Sequence, residues 1–247
     1  RVMKKRMKRD GASCMFKDGA DICCFKIVEA VKYQFSTGIA RDIKDEGGLS
    51  GDNYSFMELE RGRYMIALSD GMGTGPSAAL ESNSAISLLE KYLEAGFDRD
   101  IALKSINSAM GLKSADDNYA TMDLCITDLY TGIAEFTKVG AASTFIKRFD
   151  GTSEIIYSTT LPIGILSDIA IEPKLIQLSH GDMVIMITDG VEEAGESGDE
   201  KWVVSALQKI DSRNPQQVAE ELLQMAAERN NGIKRDDMTV LVSKIWE

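Results

Sequence analysis

The succession of short apolar segments restricts the possible folds of this chain more than any other feature of its sequence. From residue 33 onward these segments are rich in β-branched and aromatic residues and are bounded by Gly, Asp and Asn, a pattern that predicts β-strands. The predicted strands cover residues 33–40, 53–60, 63–69, 120–129, 132–140, 143–150, 154–158, 171–179, 182–188 and 237–246. Tight turns that contain glycine, such as Glu60-Arg61-Gly62-Arg63, connect several strands and favour antiparallel hairpins.

Two pairs of helical segments interrupt the strands. The first pair is predicted at residues 76–95 and 98–111, and the second pair at residues 200–210 and 215–230. Inserted pairs of helices, unlike a strict alternation of strand and helix, favour an α+β layered fold in which helices cover antiparallel sheets.

The spacing of apolar residues predicts the inner faces of the first and last helices. In the first helix these residues are Leu80, Ile86, Leu89 and Leu93. In the last helix they are Val218, Leu222, Leu223 and Met225. Asn214, followed by Pro215 and Gln217, has the form of an N-cap with a capping-box partner and predicts where the last helix begins.

Residues 1–32 differ in composition from the rest of the chain. We interpret them as a linker or a regulatory helical extension that precedes one domain at residues 33–247. They begin with a basic block that consists of Arg1, Lys4, Lys5, Arg6, Lys8 and Arg9. Such a block could touch an acidic membrane surface or a partner, and the simpler alternative is a solvated chain end.

Charge and residue counts exclude several classes of function. The formal net charge of −11 argues against nucleic acid as a partner, because phosphate binding requires clustered Lys and Arg. The single histidine, His180, lies in a predicted exposed turn, so a histidine-rich zinc site or a histidine-activated nucleophile is not expected. The four cysteines show no C-x-x-C spacing, which favours a reducing compartment and a core role for Cys125.

Four aspartates are the candidate functional residues, because each lies at the edge of a predicted strand, beside Gly, Asn or another Asp. They are Asp52, Asp70, Asp189 and Asp236. Carboxylates that converge from several strand ends, with almost no histidine and no paired cysteine, suit hard cations such as Mg²⁺ or Mn²⁺. Taken singly, each Asp-Gly pair is also common in turns, so turn chemistry is the competing interpretation.

The glycine-rich stretch Gly71-Met72-Gly73-Thr74-Gly75-Pro76 follows one of these aspartates and leads into a helix. It lacks the G-K-[ST] of a P-loop, and no third glycine completes a dinucleotide fingerprint. A flexible connection beneath a metal site is therefore a better interpretation than a nucleotide cradle.

Four motifs around the aspartates resemble, in this order, the acidic motifs of the PPM family of metal-dependent serine/threonine protein phosphatases. They are Ser50-Gly51-Asp52-Asn53, Ala67-Leu68-Ser69-Asp70-Gly71-Met72-Gly73, Ile187-Thr188-Asp189-Gly190 and Asp236-Asp237-Met238-Thr239-Val240. The motifs span most of the chain, and their order and separation also match the family.

The resemblance implies an α-β-β-α sandwich of two antiparallel sheets flanked by helix pairs, with a centre of two Mn²⁺ or Mg²⁺ ions at one edge. By motif position, Asp70 would bridge both ions, with Asp52 and the Gly71 carbonyl on one of them. Asp189 and Asp236 would hold the other ion. Asp70 and Asp52 are the predicted catalytic residues, and a bridging water is the expected nucleophile.

Two positions depart from the family pattern. Many members bind the substrate phosphate through an arginine near the start of the domain, and Arg41 matches that position only loosely. Many members also have Asp-Asn before the last strand, where this chain has Asp236-Asp237, so either carboxylate could be the ligand. We prefer Asp236 on motif position.

Within the family the chain is similar to phosphatases that act in sporulation. This similarity implies a phosphoserine substrate on a small anti-anti-sigma factor, whose dephosphorylation releases a sigma factor. It also implies a cytoplasmic domain of a protein that is anchored in the membrane upstream of this chain, and it leaves a homodimer open. Two other functions stay open, a regulatory binding module that uses the phosphatase fold and a phosphoesterase for small-molecule phosphates.

Overall fold

A computed structural model describes residues 7–17, 20–44, 48–73, 75–113, 119–158, 160–166, 171–195 and 200–247. Within these residues the strands are β1 (Met7–Lys17), β2 (Ala20–Glu29), β3 (Gln34–Asp42), β4 (Asp52–Leu59), β5 (Arg63–Asp70), β6 (Met122–Asp128), β7 (Ile133–Val139), β8 (Thr144–Lys147), β9 (Ser153–Ile156), β10 (Lys174–Gln177), β11 (Met183–Ile187) and β12 (Met238–Trp246). The helices are α1 (Pro76–Glu94), α2 (Arg99–Lys113), α3 (Asp189–Glu192), α4 (Lys201–Lys209) and α5 (Pro215–Arg229).

Ten of the strands form two antiparallel sheets of five strands each. The first sheet has the order β10-β7-β6-β5-β4, and the second has the order β3-β12-β11-β8-β9. All ten strands predicted from the sequence are present, with ends that differ by a few residues. The α+β layered sandwich is therefore confirmed.

Each sheet buries one face against the other sheet and one face against helices. In β5, Met65 and Ala67 pack in the cluster that contains residues of α1 and α2, whereas Ile66 and Leu68 pack between the sheets. In β11 the same alternation sends Ile185 toward α4 and α5. Successive side chains of a strand point to opposite faces, so a continuous apolar strand needs a layer on both sides.

The helical alternative for residues 1–32 is wrong where the structure describes them. β1 and β2 pair in antiparallel register from Met7 opposite Glu29 to Lys17 opposite Ala20. The composition is mixed, since β2 contains Ile22, Phe25, Ile27 and Val28, residue types that favour a strand, whereas β1 contains only Phe16 of these types. Part of the basic block, namely Arg1, Lys4, Lys5 and Arg6, lies outside the described residues, and the domain boundary near residue 32 stays a prediction.

The predicted inner face of α1 is wrong at one position. Ile86, Leu89 and Leu93 are buried, but Leu80 is 60% exposed. The buried positions of the first two turns are Ala78, Glu81, Ser82 and Ala85, and Leu80 points away from that row. The face therefore begins with small and polar residues that fit close to the loop before the helix.

The capping prediction for α5 is correct for Asn214 but not for its partner. The Asn214 side chain accepts a hydrogen bond from the backbone N–H of Gln216 at 2.9 Å, which caps the helix. The Gln217 side chain instead accepts a hydrogen bond from the Ser212 hydroxyl. On the inner face of α5, Val218 and Leu222 are fully buried.

Candidate metal centre

Asp52 and Asp70 lie opposite each other at one edge of the first sheet. Asp52 is the first residue of β4, Asp70 is the last residue of β5, and the two are register partners. The Asp70 backbone is fixed by Thr121, whose Oγ1 accepts from the Asp70 N–H at 2.9 Å and whose N–H donates to the Asp70 carbonyl at 2.8 Å. Antiparallel pairing of β4 with β5 thus brings two motifs 18 residues apart to the same point.

Asp189 and Asp236 come from neighbouring strands of the second sheet. Asp189 begins the short helix α3, two residues after the end of β11, and Asp236 lies two residues before β12, which pairs with β11. The sequence did not predict α3. Gly190 must be glycine here, because a Cβ at that position would lie 2.1 Å from the Asp237 carbonyl oxygen.

The structure brings the four predicted aspartates together as an uncompensated acidic cluster. Burial, followed by the negative charges of Asp189 and Asp52, raises the pKa of Asp70 far above its usual range, and Asp236 adds to this effect. The Asp70 and Asp189 carboxyl groups lie next to each other. The surrounding protein atoms displace water from the Asp189 carboxyl group and so raise its pKa as well, although part of the residue is exposed to solvent. Carboxylates crowded in this way repel one another, so a bound proton or a bound cation would stabilise the cluster.

Asp52 carries a buried oxygen atom with no hydrogen-bond partner. Its Oδ2 accepts hydrogen bonds from the hydroxyls of Thr239 at 2.5 Å and Thr188 at 3.1 Å, whereas its Oδ1 has none. Burial raises the pKa of this carboxyl to about 6. An oriented carboxylate with one free oxygen, beside three other carboxylates, is the oxygen-only donor set that Mg²⁺ and Mn²⁺ prefer. The residues present therefore fit such a cation.

The side chains alone do not close a site around one ion. Within the described ranges, no group of three or more Asp, Glu, His or Cys side chains stands where it could hold a single metal ion. A centre here would use fewer side chains for each ion and complete the coordination with backbone oxygen and water, as Mg²⁺ sites commonly do.

The backbone at Gly71 is held tightly beside Asp70. Its N–H donates to the Gly51 carbonyl at 3.1 Å, and the Ser82 hydroxyl of α1 also donates to that carbonyl. A Cβ at Gly71 would lie 2.0 Å from the Ala78 carbonyl oxygen, so only glycine fits. The role of the Gly71 carbonyl as a metal ligand stays a prediction.

Asp236 and Asp237 have different surroundings. Both carboxylate oxygens of Asp237 are occupied, Oδ1 by the Lys44 N–H at 2.8 Å and Oδ2 by the Gly51 N–H at 2.7 Å. Asp236 is half-buried, and the one hydrogen bond described for its carboxylate comes from the Asp237 N–H at 2.9 Å. This difference favours Asp236 as the ligand, and it gives Asp237 the role of fixing the loop that leads to Asp52.

Arg41 lies at the rim of the acidic cluster. Its guanidinium donates a hydrogen bond to the Asp52 carbonyl and lies 5.3 Å from the ring centroid of Tyr54. It lines an open groove of about 480 Å³ together with Asp52 and the exposed side chains of Leu49 and Leu80. A role of Arg41 in phosphate binding stays a prediction.

A second cleft opens directly over the carboxylates. Asp70, Asp189 and Asp236 line it on one side, and Met72, Tyr119 and Pro162 line it on another. Its volume of about 190 Å³ is large enough for a phosphoryl group and water. The acidic cluster is therefore accessible from outside.

Sequence reasoning missed the threonines that orient the carboxylates. Thr188 and Thr239 hold Asp52, and Thr121 holds Asp70. Thr188 and Thr239 stand inside the quoted motifs, so their proximity to the aspartates was visible, but only the fold shows which carboxylate each one contacts.

Two other residues behave as predicted. His180 is exposed, and its Nδ1 accepts a hydrogen bond from the Glu247 N–H at 3.1 Å. Cys125 is buried between the sheets, and burial raises the pKa of its thiol to about 12. Among the helices that the structure describes, none is long and apolar enough to cross a membrane.

Comparison with known proteins identifies relatives of this arrangement. Residues 60–246 match the family model described as Stage II sporulation protein E (SpoIIE). Stage II sporulation protein E of Bacillus subtilis (strain 168) is 41% identical over 215 residues, which cover 86% of this chain and 26% of that protein. The chain thus spans about a quarter of the length of this relative.

Solved structures show the same fold. The PP2C phosphatase domain of SpoIIE from Bacillus subtilis, solved with a fragment of its regulatory domain, aligns with a TM-score of 0.85 at 37% identity. The alignment covers 99% of this chain and 71% of that one. RsbX in complex with magnesium aligns with a TM-score of 0.66 at 19% identity, over 87% of this chain and 100% of that one.

Proposed function

The chain belongs to the stage II sporulation protein E family of PP2C-type serine/threonine phosphatases, and from this premise we propose that it hydrolyses phosphoserine on an anti-anti-sigma protein, which leads to activation of a sigma factor during sporulation. The resemblance read from the four motifs is thereby confirmed at the level of the family. The free and buried Oδ1 of Asp52, beside three further carboxylates, is the observation that carries the metal-dependent mechanism.

Four residues and one backbone carbonyl would hold two divalent cations, Mn²⁺ or Mg²⁺. They are Asp52, Asp70, Asp189, Asp236 and the carbonyl of Gly71. When bound, such cations lower the pKa of a water molecule, align it for in-line attack and neutralise charge on the phosphoryl oxygens. Asp70, with its backbone fixed by Thr121, is central because it interacts with each of the other three carboxylates.

The other residues of the site would orient the metal ligands or bind the substrate. Thr188 and Thr239 fix the Asp52 carboxylate so that its free oxygen has one direction. Arg41 supplies a positive charge at the rim, where a phosphoryl group would enter. The open groove with exposed Leu49 and Leu80 supports a protein substrate, because a protein offers apolar side chains that can pack on these leucines and a small phosphate ester does not.

Partners and location follow from the proposal. Because the chain spans only part of the length of its sporulation relative, a membrane anchor upstream, a cytoplasmic position of this domain and a homodimer all stay predictions.

Phosphate release tests the proposal. The substrates are a serine-phosphorylated anti-anti-sigma protein and, for comparison, a nucleotide and a sugar phosphate, each with Mn²⁺ and with a chelator. We expect release from the phosphoprotein alone, only with Mn²⁺, and none from Asp70→Ala. Release from the small phosphates instead would favour a general phosphoesterase, and binding of the phosphoprotein without any release would favour a binding module.

A further inference from the structure

A buried ion pair lies between the two sheets and has no part in the mechanism described so far. Asp123 of β6 and Lys138 of β7 are register partners, and their side chains are only 1% and 3% exposed. Lys138 Nζ lies 2.5 Å from Asp123 Oδ2, and the Thr144 hydroxyl of β8 donates to the same oxygen. Because Thr144 belongs to the second sheet, the group connects the two sheets.

The pair stands in a layer that consists mostly of apolar side chains. Strand alternation places Asp123 on the same face as Cys125, and Lys138 on the same face as Phe136, in the cluster between the sheets. Burial lowers the pKa of Lys138, and the charge of Asp123 opposes that effect. An isolated pair in such a layer seldom adds net stability, since well-packed apolar residues usually do as well or better. A purely structural role therefore explains its presence poorly.

One oxygen of the pair points to no partner. Asp123 Oδ1 is buried without a hydrogen bond, and an unsatisfied buried acceptor costs about 1–3 kcal/mol. Asp123 lines a small void of about 30 Å³ that Asp70 and Asp189 also line, together with the polar residues Thr121 and Thr188.

The void has the size and the polarity for one water molecule. A buried water needs at least about 10–15 Å³ of space and two to four polar partners, and both are present. Thr121 Oγ1 accepts from the Asp70 N–H and still has its own hydrogen to donate. A water in the void can donate to Asp123 Oδ1 and to a carboxylate of the metal centre at the same time.

We infer that Asp123, held in place by Lys138 and Thr144, is a positioning residue that orients the Asp70 and Asp189 carboxylates through a water molecule in this void. The inference rests on the proposed function. Residues behind the direct ligands commonly fix ligand orientation, and their loss lowers metal affinity roughly 10–100-fold. Lys138 balances the charge of the Asp123 carboxylate, so that Asp123 orients the metal ligands without itself becoming a ligand.

The test replaces the whole pair, so that no unpaired charge stays buried. The variant Asp123→Leu with Lys138→Met should melt cooperatively, since apolar replacement of a buried pair is usually tolerated. Its dissociation constant for Mn²⁺, measured by calorimetry, should rise roughly tenfold or more. At saturating Mn²⁺ its KM for the phosphoprotein should stay unchanged while kcat falls.

The matched control removes a partly buried ion pair at the opposite end of β11 from Asp189. Arg148 pairs with Asp182 at 2.7 Å, and Asp182 is 4% exposed on its side chain. Arg148→Met with Asp182→Asn should lower the melting temperature but leave Mn²⁺ affinity unchanged. If Asp123→Leu with Lys138→Met does not fold, Asp123→Asn with Lys138→Met, which also leaves no buried charge unpaired, replaces it with the same expected loss of affinity.

The outcomes separate the two proposals. Mn²⁺ affinity within twofold of the native chain in the Asp123 variants would overturn the positioning role and leave the proposed function intact. Absence of Mn²⁺ binding to the native chain would overturn the proposed function, and the positioning role with it.

Discussion

The aspartates at the two ends of β11 have opposite electrostatic surroundings. Before the strand, Asp182 is fully paired, because it accepts hydrogen bonds from the Arg148 guanidinium and from the backbone N–H groups of Phe149 and Ser179. After the strand, Asp189 lies beside the carboxyl group of Asp70 and near the negative charges of Asp236 and Glu192. Both aspartates flank the same strand, yet of the two only Asp182 has its negative charge balanced by a neighbouring positive charge.

This difference distinguishes a carboxylate that stabilises the fold from carboxylates that belong to the candidate site. A paired carboxylate such as Asp182 contributes to stability as the protein stands. The cluster around Asp70 repels itself, and four carboxylates brought together without cations lower stability. A fold that keeps such a cluster needs positive charge from elsewhere, and divalent cations would supply it.

Replacing the two kinds of aspartate is the most severe test of the comparison. Asp70→Ala should reduce kcat/KM at least ~1,000-fold, since metal catalysis contributes several kcal/mol. The melting temperature of metal-free Asp70→Ala should not fall, because the change removes repulsion. Asp182→Ala should instead lower stability by about 1–3 kcal/mol, because the Phe149 and Ser179 N–H groups lose their acceptor while Arg148 keeps Glu154 as a partner, and should keep kcat/KM once folded. Thermal melts and steady-state kinetics measure both effects, and equal losses of activity would break the distinction.

The pH dependence of the metal-free protein sharpens the same contrast. The folded pKa of Asp52 is raised to about 6 from an ordinary 3.8, so the folded state binds this proton more tightly than the unfolded state. The protonated Asp52 therefore adds up to about 3 kcal/mol to the free energy of unfolding below about pH 4, and this contribution is lost as the pH rises through about 6.

The measurement is urea denaturation of the native chain and of Asp52→Asn with a chelator, at several pH values. Between about pH 4 and about pH 6, the free energy of unfolding of the native chain should fall relative to that of Asp52→Asn. A difference that does not change with pH would mean that Asp52 is not in a strained, buried position.

Metal addition should reverse that loss. Ions that bind only the folded state stabilise it by about 2.7 kcal/mol at 100 times their dissociation constant. Mn²⁺ should therefore raise the melting temperature of the native chain and of Asp182→Asn, and a chelator should cancel the increase. Asp70→Ala should show little or no increase, and an increase as large as that of the native chain would place the ions elsewhere.

The rim of the cluster should give the smallest effect. Arg41→Met should raise the KM for the phosphoprotein roughly tenfold, or about 1.4 kcal/mol, because one charged contact to the phosphoryl group is lost. Its kcat at saturating substrate should change little. Arg63→Met, which alters an exposed turn away from the site, is the control, and an unchanged KM for Arg41→Met would exclude phosphate binding by this residue.

The sequence predicted those parts of the fold that depend on local pattern. The strands with continuous apolar runs, such as β5 and β11, were predicted almost to the residue, because burial on both faces leaves a strong signal. The hairpin of β1 and β2 was not, since its composition is mixed and its pairing is a contact between segments. Leu80 was misassigned because periodicity alone cannot show which residues of α1 approach the loop before it.

The candidate site followed a similar division. The four aspartates were found because each breaks a strand pattern, and the structure brings them together. The different roles of Asp236 and Asp237 depend on the Lys44 and Gly51 N–H groups, which are almost 200 residues away. The Asp123–Lys138 pair was invisible in the sequence, because only strand register places the two side chains side by side.

Direct titration of the chain with Mn²⁺ tests the central claim, that the unbalanced acidic cluster is a cation site. The measurement is calorimetry on the metal-free native chain, on Asp70→Ala and on Asp182→Asn. We expect two ions for each native chain and each Asp182→Asn chain, and a loss of binding in Asp70→Ala. Absence of binding to the native chain, or equal binding to Asp70→Ala, would contradict the account.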